Sequence, residues 1–409
     1  MMGTNKYLKI LALTALCCAS SCIYPFEVDA PLTQKRLVIE GNILIGALTE
    51  VNLSYMMGLN TPDSEIKNEK PIGKAWVEAE DGTHYEAIRV EDSDGGLIFS
   101  STKADNGSST IVIDTRTAPA KGRYRLCVED LGTSRKYVSS WQEVNPPAEI
   151  DDLTYIWDEN TMTLCLSAHS IEGCYFRWAY VEDYKFHADR PRDYIFNYDQ
   201  NKEIELPETD YSTYWCWSTN SSREVDLVAT TDLEDNRLVA HKFLSFSRSS
   251  IRLQTRYRMT IYLSCISADA YRYLDNLKIT SDFTGDLFTP LPSDVNGNIT
   301  CVEDPKEKVI GYVDVCQIST KEFYLDEKAY QLYAPGRRQP TSFIPINEWN
   351  KNGTNPYPLD LRYFWDKGFA PVYEGADGEG NSGIVWDYKR CTDCRMSGGV
   401  LEKPEGWRD

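Results

Sequence analysis

The sequence predicts a mainly β protein: an N-terminal immunoglobulin- or transthyretin-like sandwich, then a larger β-rich domain with one helix. Three observations predict it. From about Lys35 to Trp141 short runs of alternating apolar and polar residues recur, about eight of them, separated by turn residues. Asn145-Pro146-Pro147 then breaks the pattern, because neither proline can donate to a sheet ladder. Beyond it the runs lengthen, and one stretch from Ser267 carries helical spacing.

The chain opens with a leader. Met1 to Lys9 holds Lys6 and Lys9 and no acidic residue, and the apolar run Ile10 to Ala19 follows. This is a signal peptide, too short for a spanning helix of roughly 20 residues. It ends in Ala19-Ser20-Ser21-Cys22, small residues before a thiol, which reads as the cleavage and lipidation site of a bacterial lipoprotein. Residues 1–21 are then the signal peptide and Cys22 the acylated first residue of the mature chain. One acyl chain holds only marginally, at about 0.8 kcal/mol per buried methylene, so two or three make the anchor durable. The plain alternative is ordinary secretion with Cys22 a free thiol. Residues 22–34 read as a tether, with Pro25 and Pro31 opposing helix.

The sandwich spans 35–145. Leu37 to Ile43 and Glu50 to Tyr55 flank a glycine-containing link and read as a hairpin. Lys74 to Glu80 and His84 to Val90 meet at Asp81-Gly82, whose tolerance of positive φ suits a tight hairpin turn. Gly96 to Ser100, Ser109 to Asp114, Gly122 to Glu129 and Arg135 to Trp141 complete the set.

The second domain spans 148–409. Its strands read as Ile150 to Trp157, Met162 to Ser167, Cys174 to Val181, Arg223 to Ala229, Arg237 to Phe246 and Arg256 to Ile266. Ser267 caps the predicted helix, Asp269 suits its first turn, and Ala270, Leu274 and Leu277 share a face. Strands return at Gly297 to Val302, Val309 to Cys316 and Lys321 to Leu325. Residues 333–383, rich in Gly, Pro and Asn, read as long loops that end in the strand-like Ile384-Val385-Trp386.

Removing the leader takes the formal charge from -19 to -21. So acidic a body excludes nucleic acid and anionic lipid as partners of its general field. The four histidines, His84, His169, His187 and His241, lie far apart, against a histidine-rich metal site or triad. Neither a metal nor a cofactor is expected. Nine cysteines follow Cys22; export permits oxidation, and the odd number leaves at least one free.

Cys391-Thr392-Asp393-Cys394 is the sharpest local motif. Arg395-Met396-Ser397-Gly398-Gly399 makes a poor helix, against a redox pair, and no second cysteine pair stands at zinc spacing. A structural disulfide holding the C-terminal tail is the reading, with Cys216, Cys391 and Cys394 as candidates and the partner either internal or distant. Gly378-Glu379-Gly380-Asn381-Ser382-Gly383 matches a dinucleotide pattern but leads into a strand, so it is a loop. Asp92-Ser93-Asp94-Gly95 and Asp377 to Asn381 do not continue as calcium loops, and Ser64-Glu65-Ile66-Lys67 lacks the companions of a serine-lysine acylase. Tyr214-Trp215-Cys216-Trp217 sets Trp215 and Trp217 on one strand face, either as core or as anchors for a ligand or partner.

The order of several blocks carries a resemblance. Leu37-Val38-Ile39-Glu40-Gly41 opens the sandwich; Tyr271 to Phe288 holds the helix; Pro292 to Ile299 and Val309-Ile310-Gly311-Tyr312 follow. Cys391-x-x-Cys394-Arg395, Gly398-Gly399, Lys403-Pro404 and Trp407 close it. The chain resembles a domain-of-unknown-function family of Bacteroidota lipoproteins, often encoded beside a TonB-dependent outer-membrane receptor. That resemblance implies no catalytic residues. It implies a lipid-anchored outer-membrane protein and a TonB-dependent receptor as partner. The expected function is a binding or accessory subunit of such a transport system; the alternatives are a surface hydrolase of glycans or peptides and a structural envelope component.

Overall fold

The computed structural model describes residues 36–56, 73–91, 97–99, 109–222, 226–231, 233–282, 297–331, 333–334, 342–345, 360–376, 380 and 382–408. Cys22, its tether and the motifs at 64–67 and 92–95 lie outside them, as do Asp377, Gly378, Glu379 and Asn381. Strand accounts for 56% and helix for 12%, so the fold is mainly β.

Among the described residues eleven strands precede the second body. They are β1 (Arg36–Glu40), β2 (Ile43–Ile45), β3 (Leu48–Met56), β4 (Gly73–Ala79), β5 (His84–Glu86), β6 (Arg89–Glu91), β7 (Leu97–Phe99), β8 (Ser109–Asp114), β9 (Arg123–Asp130), β10 (Arg135–Ser139) and β11 (Gln142–Glu143). β1, β3 and β8 form one sheet; β10, β9, β4 and β5 form the other. Alternation turns Leu37, Ile39, Val51 and Leu53 inward, against Val77, Leu126 and Val128.

The second body is built from β12 (Ala148–Asp158), β13 (Thr161–Ser170), β14 (Tyr175–His187), β15 (Arg192–Asn197), β16 (Lys202–Asp210), β17 (Trp215–Ser221), β18 (Asp226–Ala229), β19 (Arg237–Ser247) and β20 (Arg256–Ile266). A disulfide between Cys174 and Cys265 ties the start of β14 to the end of β20. Neither cysteine was among the disulfide candidates that the sequence offered. Helix α1 (Ala268–Asp282) follows, with Ser267 Oγ accepting from the Ala270 amide at 3.2 Å. Its buried face is Ala270 and Tyr273, whereas Leu277 is exposed.

The chain then returns to the first sandwich. β21 (Ile299–Cys301) extends the second sheet beside β10, and β22 (Val315–Gln317) pairs in parallel with β2. Ile299, Cys301, Val313 and Val315 belong to the first core. The break at Asn145-Pro146-Pro147 is therefore a crossing between bodies and does not end the first one. Alternation marks these segments as strands, but it carries no record of which sheet edge they cover. Gly297 and Gly311 make the return possible. A side chain on Gly297 would run into the Gly311 carbonyl, and one on Gly311 into that of Ile39.

β23 (Ser319–Tyr324) rejoins the second body. There the sheet β12-β13-β19 packs its Met162, Leu164 and Leu166 on Phe176, Phe186 and Ile261 of the sheet β17-β14-β20-β23. Helix α2 (Glu327–Gln331) closes one end. Residues 333–383, read from sequence as loops, carry β24 (Ser342–Pro345), helix α3 (Leu361–Asp366) and β25 (Phe369–Ala376). With β26 (Ser382–Tyr388) the strands form a small sheet around Trp386, against Phe196 of β15 and Phe364 and Trp365 of α3. The elements are too short to show a period, so the glycines and prolines between them dominate the sequence pattern. The described residues thus hold three helices rather than one, none long and apolar enough to cross a membrane.

Candidate binding face

β14 organises the second body. Its even-numbered residues point into the sandwich and its odd-numbered residues point out, so the neighbours Glu182 and Asp183 lie on opposite faces. Both are almost fully buried. Inside, the Glu182 carboxylate accepts from Arg252 Nε at 2.9 Å, from the Tyr257 hydroxyl at 2.9 Å and from Asn220 Nδ2 at 3.2 Å. Burial, reinforced by the Glu182 charge, pushes the Tyr257 phenol well above its usual range. A cavity of about 420 Å³ opens beside this pair, lined by Tyr180, Asn220, Ser221 and Phe243. Outside, Asp183 accepts from Arg258 Nε at 3.0 Å and Nη2 at 2.7 Å, and from Thr219 Oγ1 at 2.6 Å. Every oxygen of these carboxylates is committed to holding the sheet.

The outer face continues with Lys185, whose register partner is Trp217, and His187, whose partner is Trp215. The Lys185 ammonium lies 4.6 Å from the Trp215 ring and 5.4 Å from that of Trp217. Trp215 and Trp217 do share a face, but their surroundings differ. The C-terminal tail runs beside β17: the Trp217 amide donates to the Val400 carbonyl at 2.8 Å, and Val400 returns the bond. Trp217 is therefore only 7% exposed and serves as packing, which removes it as a surface anchor. Trp215 keeps 36% of its surface. It stands edge-on to Tyr214 at 4.9 Å and to His187 at 5.2 Å, and Tyr211 lies edge-on to Tyr214 at 5.6 Å. Tyr211, and Met396, Val400 and Leu401 of the tail, are exposed.

A disulfide between Cys216 and Cys394 fixes the tail to this strand. Cys216 opposes Phe186 on the inner side of the pair. Gly399 crosses where a Cβ would come within 2.6 Å of the Phe186 ring, and Gly398 before it holds a left-handed φ of 84°, so each glycine has its own reason. Farther along, the Glu405 carbonyl accepts from Arg258 Nη2 at 2.9 Å, and Arg408 pairs with Glu322 at 3.4 Å. Cys391 is not part of the bridge, a correction to its candidacy. Its buried thiol lies 3.0 Å from Asp387 Oδ2 and 3.1 Å from Asp189 Oδ2. Burial and both carboxylates push the thiol up, so it stays protonated. Cys391 is the third residue before Cys394, but the 3-10 turns at 389–391 and 394–397 aim the two thiols at different partners.

Sequence reading missed Lys185, His187 and Tyr211 as parts of this face. The signal was present as alternation in Glu182-Asp183-Tyr184-Lys185, but only the register of β14 on β17 brings it beside the tryptophans. Among the described residues no group of three or more His, Cys, Asp or Glu side chains is arranged to hold a metal ion.

A family described as a domain of unknown function, DUF4249, matches residues 23–322. The chain belongs to the DUF4249 family. No curated protein matches it. The DUF4249 region takes in the first sandwich with its returning strands and most of the second body. Trp215 and Cys216 lie inside the match, while Cys394 and the tail lie beyond it, so the candidate face is assembled across the boundary of the match.

Proposed function

We propose that this DUF4249 protein is an outer-membrane lipoprotein, acylated on Cys22, that serves as a binding or accessory subunit of a TonB-dependent transport system. The observation that carries the reading is the aromatic cluster of exposed Tyr211 and Trp215 with half-buried Tyr214, on a strand made rigid by a disulfide. Rigid aromatics supply large contact area at low entropic cost, and they concentrate at the centres of protein interfaces. A stable interface buries on the order of 1,600 Å², which a rim of Met396, Val400 and Leu401 around the aromatics helps to supply. The small-residue stretch before Cys22 supports the anchor, and the family resemblance supports the receptor as partner.

Extraction from native membranes in mild detergent, followed by affinity purification, tests this. A large barrel receptor should accompany the protein in near-stoichiometric amount. Tyr211→Ala with Trp215→Ala should lose the receptor while staying in the membrane, and Cys22→Ala should release the chain to the soluble fraction. A protein that purifies alone in every mild detergent and turns over glycans or peptides refutes the reading.

A further inference from the structure

We propose that the cleft between the two sandwiches is a binding site for a small organic monocarboxylate with an apolar body. The cleft has a volume of about 710 Å³, within the range of roughly 300–1,000 Å³ typical of small-molecule pockets. Its second-body side is the outer face of the same sheet that carries Trp215, but at the opposite end of β14. Eight residues separate Arg177 from Lys185, about 26 Å along a strand. The site is thus independent of the docking face, and either reading can fail alone.

Arg177 carries the inference. With the Asn42 amide oriented to satisfy both its ends, its oxygen accepts from the Arg177 guanidinium at 2.8 Å and its nitrogen donates to Gly41. Among the described residues that is the one hydrogen bond of this guanidinium, and no carboxylate pairs with it. Among the other buried or half-buried arginines, Arg125, Arg192, Arg252 and Arg258 each hold a carboxylate, while Arg190 and Arg256 lie over the Tyr373 and Tyr324 rings. In a protein with 62 acidic and 43 basic side chains, Arg177 differs from these in facing a cavity with neither a carboxylate nor an aromatic ring against its guanidinium among the described residues. Its remaining donors form a planar fork that matches a carboxylate in two parallel hydrogen bonds.

The rest of the lining narrows the ligand. Leu44 and Leu48 from the first body, with Tyr262 from the second, give the cleft apolar walls, and Leu48 and Tyr262 are left partly exposed. Such walls favour an apolar body behind the charged group. Glu50 also lines the cleft and is exposed. Its charge opposes a second negative charge on the ligand, which disfavours dicarboxylates and phosphate dianions. The carboxylate can be that of a short acyl chain or the C-terminus of a hydrophobic peptide.

Calorimetry on the full chain in nanodiscs, with empty nanodiscs as blank, separates these sources. The probes are hexanoate and N-acetyl-Leu-Phe, each compared with its amide. At least one acid should bind, its amide about tenfold or more weaker, and the acid that binds identifies the source. Arg177→Gln should weaken the acid about tenfold or more, and Glu50→Gln should tighten it by about two- to threefold. Failure of both acids to bind at millimolar concentration overturns the proposal. So does equal binding of acid and amide, or a folded Arg177→Gln variant that binds as the natural protein does. Should Arg177→Gln not fold, the acid–amide comparison and Glu50→Gln decide. The receptor pull-down uses neither residue.

Discussion

Removing the Cys216–Cys394 bridge is the most informative perturbation of this fold, because the bridge closes a loop of 178 residues and fixes the tail. The chain-entropy relation for a loop of that length gives about 5 kcal/mol at 25 °C, while measured disulfides typically contribute about 2–4 kcal/mol. The double variant Cys216→Ala with Cys394→Ala should therefore lose about 2–4 kcal/mol, with about 5 as the ceiling. At an m-value of about 3 kcal/mol per molar urea, the unfolding midpoint falls by about 1 M. A local effect should come first. Without the bridge, residues 395–408 are held by the paired hydrogen bonds of Val400 with Trp217, the Glu405–Arg258 bond and the exposed Arg408–Glu322 pair. These exposed or edge contacts contribute little each. Limited proteolysis should cut the tail in the variant under conditions that spare the natural protein, and tryptophan emission should shift to the red as Trp217 meets water. A variant whose tail stays protected and whose midpoint moves by less than about 0.3 M would refute the reasoning, since the tail would then be held by packing alone.

Two further outcomes follow from the buried charges. Glu182→Gln leaves the Arg252 guanidinium without a counter-charge beside the core and should cost about 3–5 kcal/mol, read by urea unfolding; replacing Glu182 and Arg252 together by apolar residues should cost much less. Glu78 gives a pH dependence. Burial opposes its ionised form, but hydrogen bonds from Trp76 and Arg125 outweigh burial and hold its carboxyl at about 2, against an ordinary 4.5. A depressed carboxyl contributes stability that is full above pH 4.5 and is lost as pH falls toward 2. Glu78→Gln should flatten that part of the acid limb in urea midpoints taken from pH 5 to 2, and an unchanged slope would remove Glu78 as its cause.

The sequence by itself determined most strands of both bodies, because alternation of period two is a local property of the chain; β15 and β16 were not among those read from it. Leu37 and Ile39, or Leu126 and Val128, declare their inward face without reference to any partner. The cap at Ser267 was legible for the same reason, since it acts on the amide three residues on. Tertiary structure alone decided which edge the segment from Ile299 to Gln317 covers, because apolar alternation is the same whichever core receives it. Residues 333–383 stayed hidden as loops because helix α3 and its strands are ordered by Trp386, more than ten residues downstream of most of them. The cysteines show the same division. That one of them had to be free followed from counting, but that Cys394 reaches Cys216 while Cys391 faces Asp189 and Asp387 depends on residues roughly 180 to 200 positions away. The difference between the two tryptophans was likewise beyond the local pattern. Trp215 and Trp217 share a face and a residue type, and only the path of the tail over β17 buries one and leaves the other in water.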